Sequence, residues 1–598
     1  LEVDVGGQRL LGRLERAGEP GARSVSVDLA GEAVDLDAFL SFGRLFVDAG
    51  AILEPLDALD VRFEAGPVAY DGLAADALSL DFGYFDDLLD LRGLIAEGLE
   101  GADIEARGTV AQLFTAPEPD IAAEVSAPAP ARLIETLAQR WPGRIGPALV
   151  AVARDAGAVR ASISAATPQE ADAPAIRVTA EGTAGGTSFE LESAFENGLA
   201  AIDDLARFAA EARLSSDDPA EMLRQFGLAG LDLGLPAPLT VSATLSGEGS
   251  APIRLSASAT APGSTLEADG TLQTDGGGWG AALDVSTRSE DAAPWLTAAG
   301  AAFGQGFDGL PADLRGKLVV ASDGNWTLEE ARGSLAQADI ASSLASRDGR
   351  IEGTVEMGAL SLPWLATLVY GVSPDLPAGT GLWPEQIFAE PLLPVGGFSV
   401  ALTAGRLDLG AEHALEDVEA RLDAGPSNLD ITGLTARLGS GLLSGGGAMA
   451  NAGGFGSLRL DLSLEDANLD GGDAPVGGQL SGNLALEASG RSFAELAGSA
   501  TGQGRALLAD AVLNGVGRDR LQGILDTVDE TEEPIEPDAV AEIVARSDEG
   551  ARYELGDVET AVTVALGVAR TGPVSVDAGG ERVSADLAVD LRTGSVSG

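Results

Sequence analysis

The 598-residue sequence has no cysteine. Structural disulfides, thiol catalysis and thiolate metal sites are therefore excluded, while a compartment that oxidises thiols stays permitted. There is one histidine, His413, in "GAEHALED". A transition-metal site needs three or four N or S ligands, and a Ser-His-Asp hydrolase would have to use that same ring without a Gly-x-Ser-x-Gly elbow to partner it. His413 reads as a solvated residue. Lys317 is the sole lysine, and 37 basic residues stand against 93 acidic ones, for a net charge of −56. So acidic a surface repels phosphate backbones, which excludes nucleic acid as a partner. Aromatics are 5% of the chain, too few for a glycosidase platform, and carboxylates are too frequent for any pair to be informative. "NLDGGD" at Asn468–Asp473 lacks the spaced third ligand and closing Glu of a calcium loop. "GQGRALL" from Gly502 has Leu507 at the third glycine position of the dinucleotide fingerprint. No catalytic residue, metal or cofactor is expected, and the protein is not expected to be an enzyme. Long apolar runs are missing as well. The longest, Gly358–Val372, is broken by Pro363 and is shorter than the roughly 20 residues that cross a bilayer.

What the sequence does have is alternation. In "LRLDLSLE", Leu458, Leu460, Leu462 and Leu464 fall on one side and Arg459, Asp461, Ser463 and Glu465 on the other, the pattern of a strand with one wet face. The same period of two runs through Leu239, Val241 and Leu245, through Phe398, Val400 and Leu402, and through Val583, Leu587, Val589 and Leu591. Between such phrases sit "TDGGG", "SDGN", "TAGR", "SGGG" and "DAGG", whose residues tolerate the positive φ of tight hairpins. Antiparallel meanders are predicted. Three- and four-residue spacing predicts helices over 35–48, 84–99, 131–153, 199–214 and 219–226, capping or covering sheet edges. A faint repeat joins Trp295 and Trp364, each in Pro-Trp-Leu after an alternating phrase, and "LSLEDANLD" repeats a strand followed by Asp-Ala. Length and these phrases divide the chain at 1–125, 126–360, 361–485 and 486–598.

One segment is more specific. In "SFAELAGSATGQGRALLADAVLNGV", Ser492 and Glu495 form a capping box for a short helix, followed by a Gly-rich turn, a strand, and a second turn at Asp510–Ala511. This order resembles the C-terminal region of the AsmA family of bacterial envelope proteins, with Ala511 where the family more often has glycine. The upstream chain is similar in cadence to AsmA and TamB relatives. The resemblance implies a long curled antiparallel sheet, groove- or taco-like, built from repeated hairpins with helices capping or covering its edges. It also implies a periplasmic body anchored to the inner membrane by a segment absent from this sequence, and a role in outer-membrane lipid homeostasis by carrying phospholipid along an apolar groove. The fourteen residues named in the alternating phrases above are the expected groove lining. An alternative is assembly of outer-membrane proteins by β-augmentation, in which those proteins are the partner.

Overall fold

The computed structural model describes residues 2–5, 8–17, 24–38, 58–113, 115–140, 150, 153–168, 175–196, 207–225, 237–249, 251–275, 278–292, 311–347, 349–374, 382–393, 396–410, 413–469, 476–514, 526, 552–578 and 581–598. The fold is mainly β, a long and mostly antiparallel sheet that is not closed into a barrel. It forms two compact units, Leu1–Ala298 with Arg315–Gly324, and Ala299–Leu314 with Asn325–Gly598.

In the first unit each strand from Gln8–Ala17 to Gly278–Ser289 pairs with its neighbours in chain order, apart from the small bridge strands between 34 and 75. Ser24–Gly31 and Ala58–Ala65 run parallel, as do the bridge strands Val34–Asp35 and Val68–Tyr70, and the other pairs are antiparallel. Two-residue turns set the hairpins. Asp86–Asp87 and Glu100–Gly101 each carry positive φ at both positions, the backbone whose twist matches that of the flanking strands. Segment 84–99, predicted helical, is instead the end of Ala77–Phe85 and all of Leu88–Leu99. A bulge explains the misreading: pairing of Leu88–Leu99 shifts between Leu91 and Leu94, so an alternating strand acquires a three-residue step that mimics a helix. The described part of 199–214 lies in the strand Phe208–Ser216, and 199–206 lies outside the described residues, as does 39–48 of the first predicted helix.

Residues 36–38 of the first predicted helix are helical, and two other predicted helices form in part. Helix α1 (Ala131–Arg140) buries Leu133 with Ala102 and Ala127 at strand ends. Its first turn is held by Arg132, whose Nε lies 2.6 Å from the buried Glu100 carboxylate, which also accepts from the Ala74 amide. Helix α2 (Pro219–Gln225) buries Met222 with Leu239 and Ala261, and Gln225 Nε2 donates to the carbonyls of Ala156 and Ala184. Both helices cap strand ends.

On the polar face of this unit, burial alone would raise the Asp81 carboxyl, but hydrogen bonds from Arg92 and Arg62 outweigh it and hold it below the ordinary carboxylate range. A depressed folded-state value means that Asp81 stabilises above its unfolded value of about 3.9, and that this contribution is lost as pH falls through the folded value. Asp81→Asn is therefore expected to lower the urea midpoint at pH 7 and to converge with the parent near pH 2. An equal gap at both pH values would refute this.

In the second unit, Arg350–Ser361 leads into helix α3 (Leu362–Tyr370), and the chain returns as Phe398–Gly410, parallel to the strand it left. A parallel return needs a long connection, and 362–397 supplies it. Ser361 Oγ accepts from the Trp364 amide at 3.3 Å and Gly371 closes the helix at φ 67°. Being apolar almost all round, α3 is buried from Leu365 to Tyr370. The strands then run in order from His413–Ala424 to Val476–Gly490, followed by helix α4 (Phe493–Ser499). The capping box is present with one change. Ser492 Oγ accepts from Glu495 N, but the Glu495 carboxylate accepts from Arg491 N, one residue before the cap.

"TGQG", expected as a turn, begins the continuous strand Thr501–Asn514, and the expected Asp-Ala turn is a bulge within it at Asp510 (φ 51°). The alternating phrase 583–591 is also not one strand. Glu581–Ala585 pairs with Val574–Ala578 in a separate two-stranded sheet, while Ala588–Asp590 joins the main ladder.

Candidate functional site: the apolar rows

Register shows what alternation alone cannot: which residues stand side by side across many strands. In the first unit Gly12, Leu29, Phe63, Leu80, Leu94 and Ala106 pair in succession. The row continues through Ala123, Ile163, Ala180, Leu191 and Ala212. It then passes through Ala243, Ala257, Ala268 and Val285. No member is polar. At about 4.8 Å between strands the row runs on the order of 70 Å along the ladder.

Two flanking rows widen it. One passes through Val27, Phe82, Ile121, Val178, Leu245 and Leu283, and its one polar member, Ser193, is buried with its hydroxyl donating to Val178 O. The other passes through Leu78, Ile104, Val125, Phe189, Val241 and Leu266, with a polar residue only where it ends at Thr287.

Fully buried clusters of this unit sit around the first strands (Leu10, Phe63, Ala65, with Val34 and Val68) and under α1 and α2. From Ala106 to Val285 the middle row is half-buried, and Leu191 is 39% exposed.

The opposite face is polar in the same register. Glu124, Ser162, Glu181, Glu190, Arg213, Ser242, Ser258 and Glu267 form one such row. A recess of about 710 Å³ lies on this side, lined by Glu181, Glu190, Glu192, Glu211 and Asp269, with Arg213 paired to Glu190. Lined by carboxylates and hydroxyls, it suits water and not alkyl chains. Among the described residues no group of His, Cys, Asp and Glu could hold a metal ion.

The second unit has an apolar row as well. Leu344, Gly353, Val400, Leu422 and Ile431 pair in succession, followed by Gly447, Leu460, Leu486, Gly502, Val564, Ala569 and Val589. Part of this face is filled by protein. Val400, Leu402, Leu422 and Leu429 belong to one large core with Leu365, Leu368 and Val369 of α3. Tyr370, Phe388 and Phe493 pack there with ring centroids 4.5–5.3 Å apart. Tyr370 Oη donates to Ser457 O at 2.7 Å, and burial pushes the phenol pKa well up.

The residues expected from alternation separate accordingly. Leu239 is buried against α2, with Val241 packed beside it, while Leu245 lies half-buried in a flanking row opposite Leu255. Val400 and Leu402 face the α3 core, against which Phe398, Leu458 and Leu591 also pack. Leu460, Leu462 and Leu464 are half-buried, opposite Gly447, Gly445 and Leu443. Val589 is half-buried in its row. Leu587 lies outside the strands and is 50% exposed. Val583 pairs with Val576 in the small separate sheet, and its side chain lies outside the described residues. The sequence reading missed Leu94, Ile163 and Leu191 as row members. Alternation was present around Ile163 and Leu191 and was interrupted by the bulge before Leu94, and only register joins the three.

The fold and these rows define a class: an open-sheet β protein with one face apolar across its strands and the other acidic. No known family model, curated protein or solved structure matches the chain.

Proposed function

We propose that this is a non-enzymatic, AsmA-like protein of the bacterial periplasm, tied to the inner membrane by a segment outside this sequence. It carries phospholipid between the inner and outer membranes with the acyl chains lying along the apolar rows. The observation that carries this reading is the unbroken row from Gly12 to Val285, half-buried over most of its length, with helix-covered cores at strand ends. A protein core needs apolar residues only where another element covers them, whereas a path for alkyl chains needs them at every rung, because each bared methylene costs about 0.8 kcal/mol. The "SFAELAGSATGQGRALLADAVLNGV" phrase resembles that family's C-terminal region in its order of residues, and the acidic polar face suits a body standing in water between two membranes.

The test is organic extraction of the purified protein followed by mass spectrometry. Phospholipid in amounts comparable to protein is expected. Lipid-free protein that instead crosslinks to unfolded outer-membrane barrel strands would replace this reading with β-augmentation.

A further inference from the structure

Five of the nine exposed large hydrophobic residues in the described part of the second unit gather at one corner; Ile387, Leu442, Phe455 and Leu507 are not tied to it. Leu382 is 53% exposed, Trp383 39%, Leu566 76%, Leu587 50% and Val596 67%. Hydrogen bonds tie the segments that carry them together. Trp383 Nε1 donates to Leu591 O, the Leu591 amide donates to Gly567 O, and the Thr571 amide donates to Leu587 O. A Cβ on Gly594 would lie 3.5 Å from Leu382 Cδ1.

Two further observations point to what the corner does. First, the apolar row of this unit leads into it: Val564 pairs with Ala569, Ala569 with Val589, and Val589 with Val596. Burial falls along that path, from 5% exposure at Val564 to 67% at Val596. Second, Leu566 (φ 50°) and Gly567 (φ 76°) form the two-residue turn between Arg552–Ala565 and Val568–Thr571. Gly, Asn or Asp belongs at such a position, and a bulky side chain with positive φ is an outlier. Here a leucine is both conformationally costly and almost wholly in water, at the tip of a hairpin.

We propose that this corner is a membrane-contact rim, whose leucines, valine and tryptophan enter the interfacial layer of a lipid bilayer at the point where the apolar row reaches the surface. The inference rests on the lipid reading above and names the partner surface at one end of the path. Aliphatic tips beside an exposed indole fit the boundary between headgroups and acyl chains, where Trp is favoured. A chain of net charge −56 with a single lysine would bind there through apolar contact and not through attraction to anionic lipid.

The experiment is co-sedimentation of the whole chain with zwitterionic phosphatidylcholine vesicles, comparing the parent with Leu382→Asp/Leu566→Asp. Both side chains are exposed, so far-UV circular dichroism should not change. Withdrawing two large aliphatic side chains should weaken vesicle partition on the order of a hundredfold. Lipid extracted from the two purified proteins should be equal, since neither substitution touches the rows. Unchanged partition, or a parent that holds lipid but ignores vesicles, overturns the rim and leaves the lipid reading standing. Vesicle binding that is lost in the double variant, by a protein from which no lipid is extracted, supports the rim and removes the lipid reading. A concentration-dependent dimer dispersed by the same substitutions, with no vesicle binding, overturns the rim in favour of self-association.

Discussion

Asn451→Ala will destabilise the second unit by about 2–5 kcal/mol, seen as a lower urea midpoint with tryptophan fluorescence as the probe. Asn451 is 1% exposed on the strand Gly441–Ala452, and every part of its amide is used. Its Nδ2 donates to Val369 O at 3.2 Å and to Ala389 O at 2.7 Å, while Oδ1 accepts from Gly454 N at 3.0 Å. Val369 O is one of the last carbonyls of α3, a group that the helix itself cannot satisfy. Alanine removes the partner and leaves the buried Val369 carbonyl, together with the partly buried Ala389 carbonyl and Gly454 amide, without it. An unsatisfied buried group costs about 1–3 kcal/mol, whereas the net gain from an ordinary hydrogen bond is about 1 kcal/mol. The loss should therefore exceed that of Tyr370→Phe, which gives up only the bond to Ser457 O. A change below about 1 kcal/mol for Asn451→Ala would mean that water replaces the amide and that α3 is less firmly seated than its contacts indicate.

The second large effect is on lipid content. Ile163→Asp in the first unit should reduce co-purifying phospholipid at least a hundredfold, and Leu460→Asp should remove whatever the second unit holds. A carboxylate in the row bares about four methylenes of a chain lying across it, roughly 3 kcal/mol at about 0.8 kcal/mol each, which is more than two decades of population. Ser162→Asp is the control. It is the adjacent residue on the same strand, but it stands on the polar face, where it already bonds Glu124. Mass spectrometry of extracted lipid should separate the two substitutions while circular dichroism does not. Retention of lipid by Ile163→Asp would remove the row from the mechanism.

Much of the fold was legible because half-buried strands write themselves in period two, and Leu458–Leu464 and Leu239–Leu245 are both strands as that period requires. What was not legible was where the period slips. The Asp-Ala step in "LSLEDANLD" is neither a turn nor a helix start. Asp466 has φ 53° at the register shift between Leu464 and Ala467, Asp510 has φ 51° between Leu508 and Ala511, and Asp417 has φ 49° between Glu416 and Glu419. Asp tolerates the left-handed region better than most residues, so in this chain it marks bulges as well as turns such as Asp86–Asp87. The α3 core was hidden for another reason. An apolar strand face looks the same in sequence whether a helix or a lipid is to cover it, and Val400 does not differ in kind from Leu460. The rows themselves were invisible because no single segment contains more than one member of each.

Because nearly every strand of the first unit bonds only to those next to it in the chain, the ladder behaves as a ruler with a fixed increment. Inserting or excising one hairpin changes its reach by about 9.6 Å and leaves strand direction and face parity intact, while removing a single strand would reverse the polarity of everything beyond it. The length of such a ladder is thus tunable by duplication in even steps, without redesign of either face.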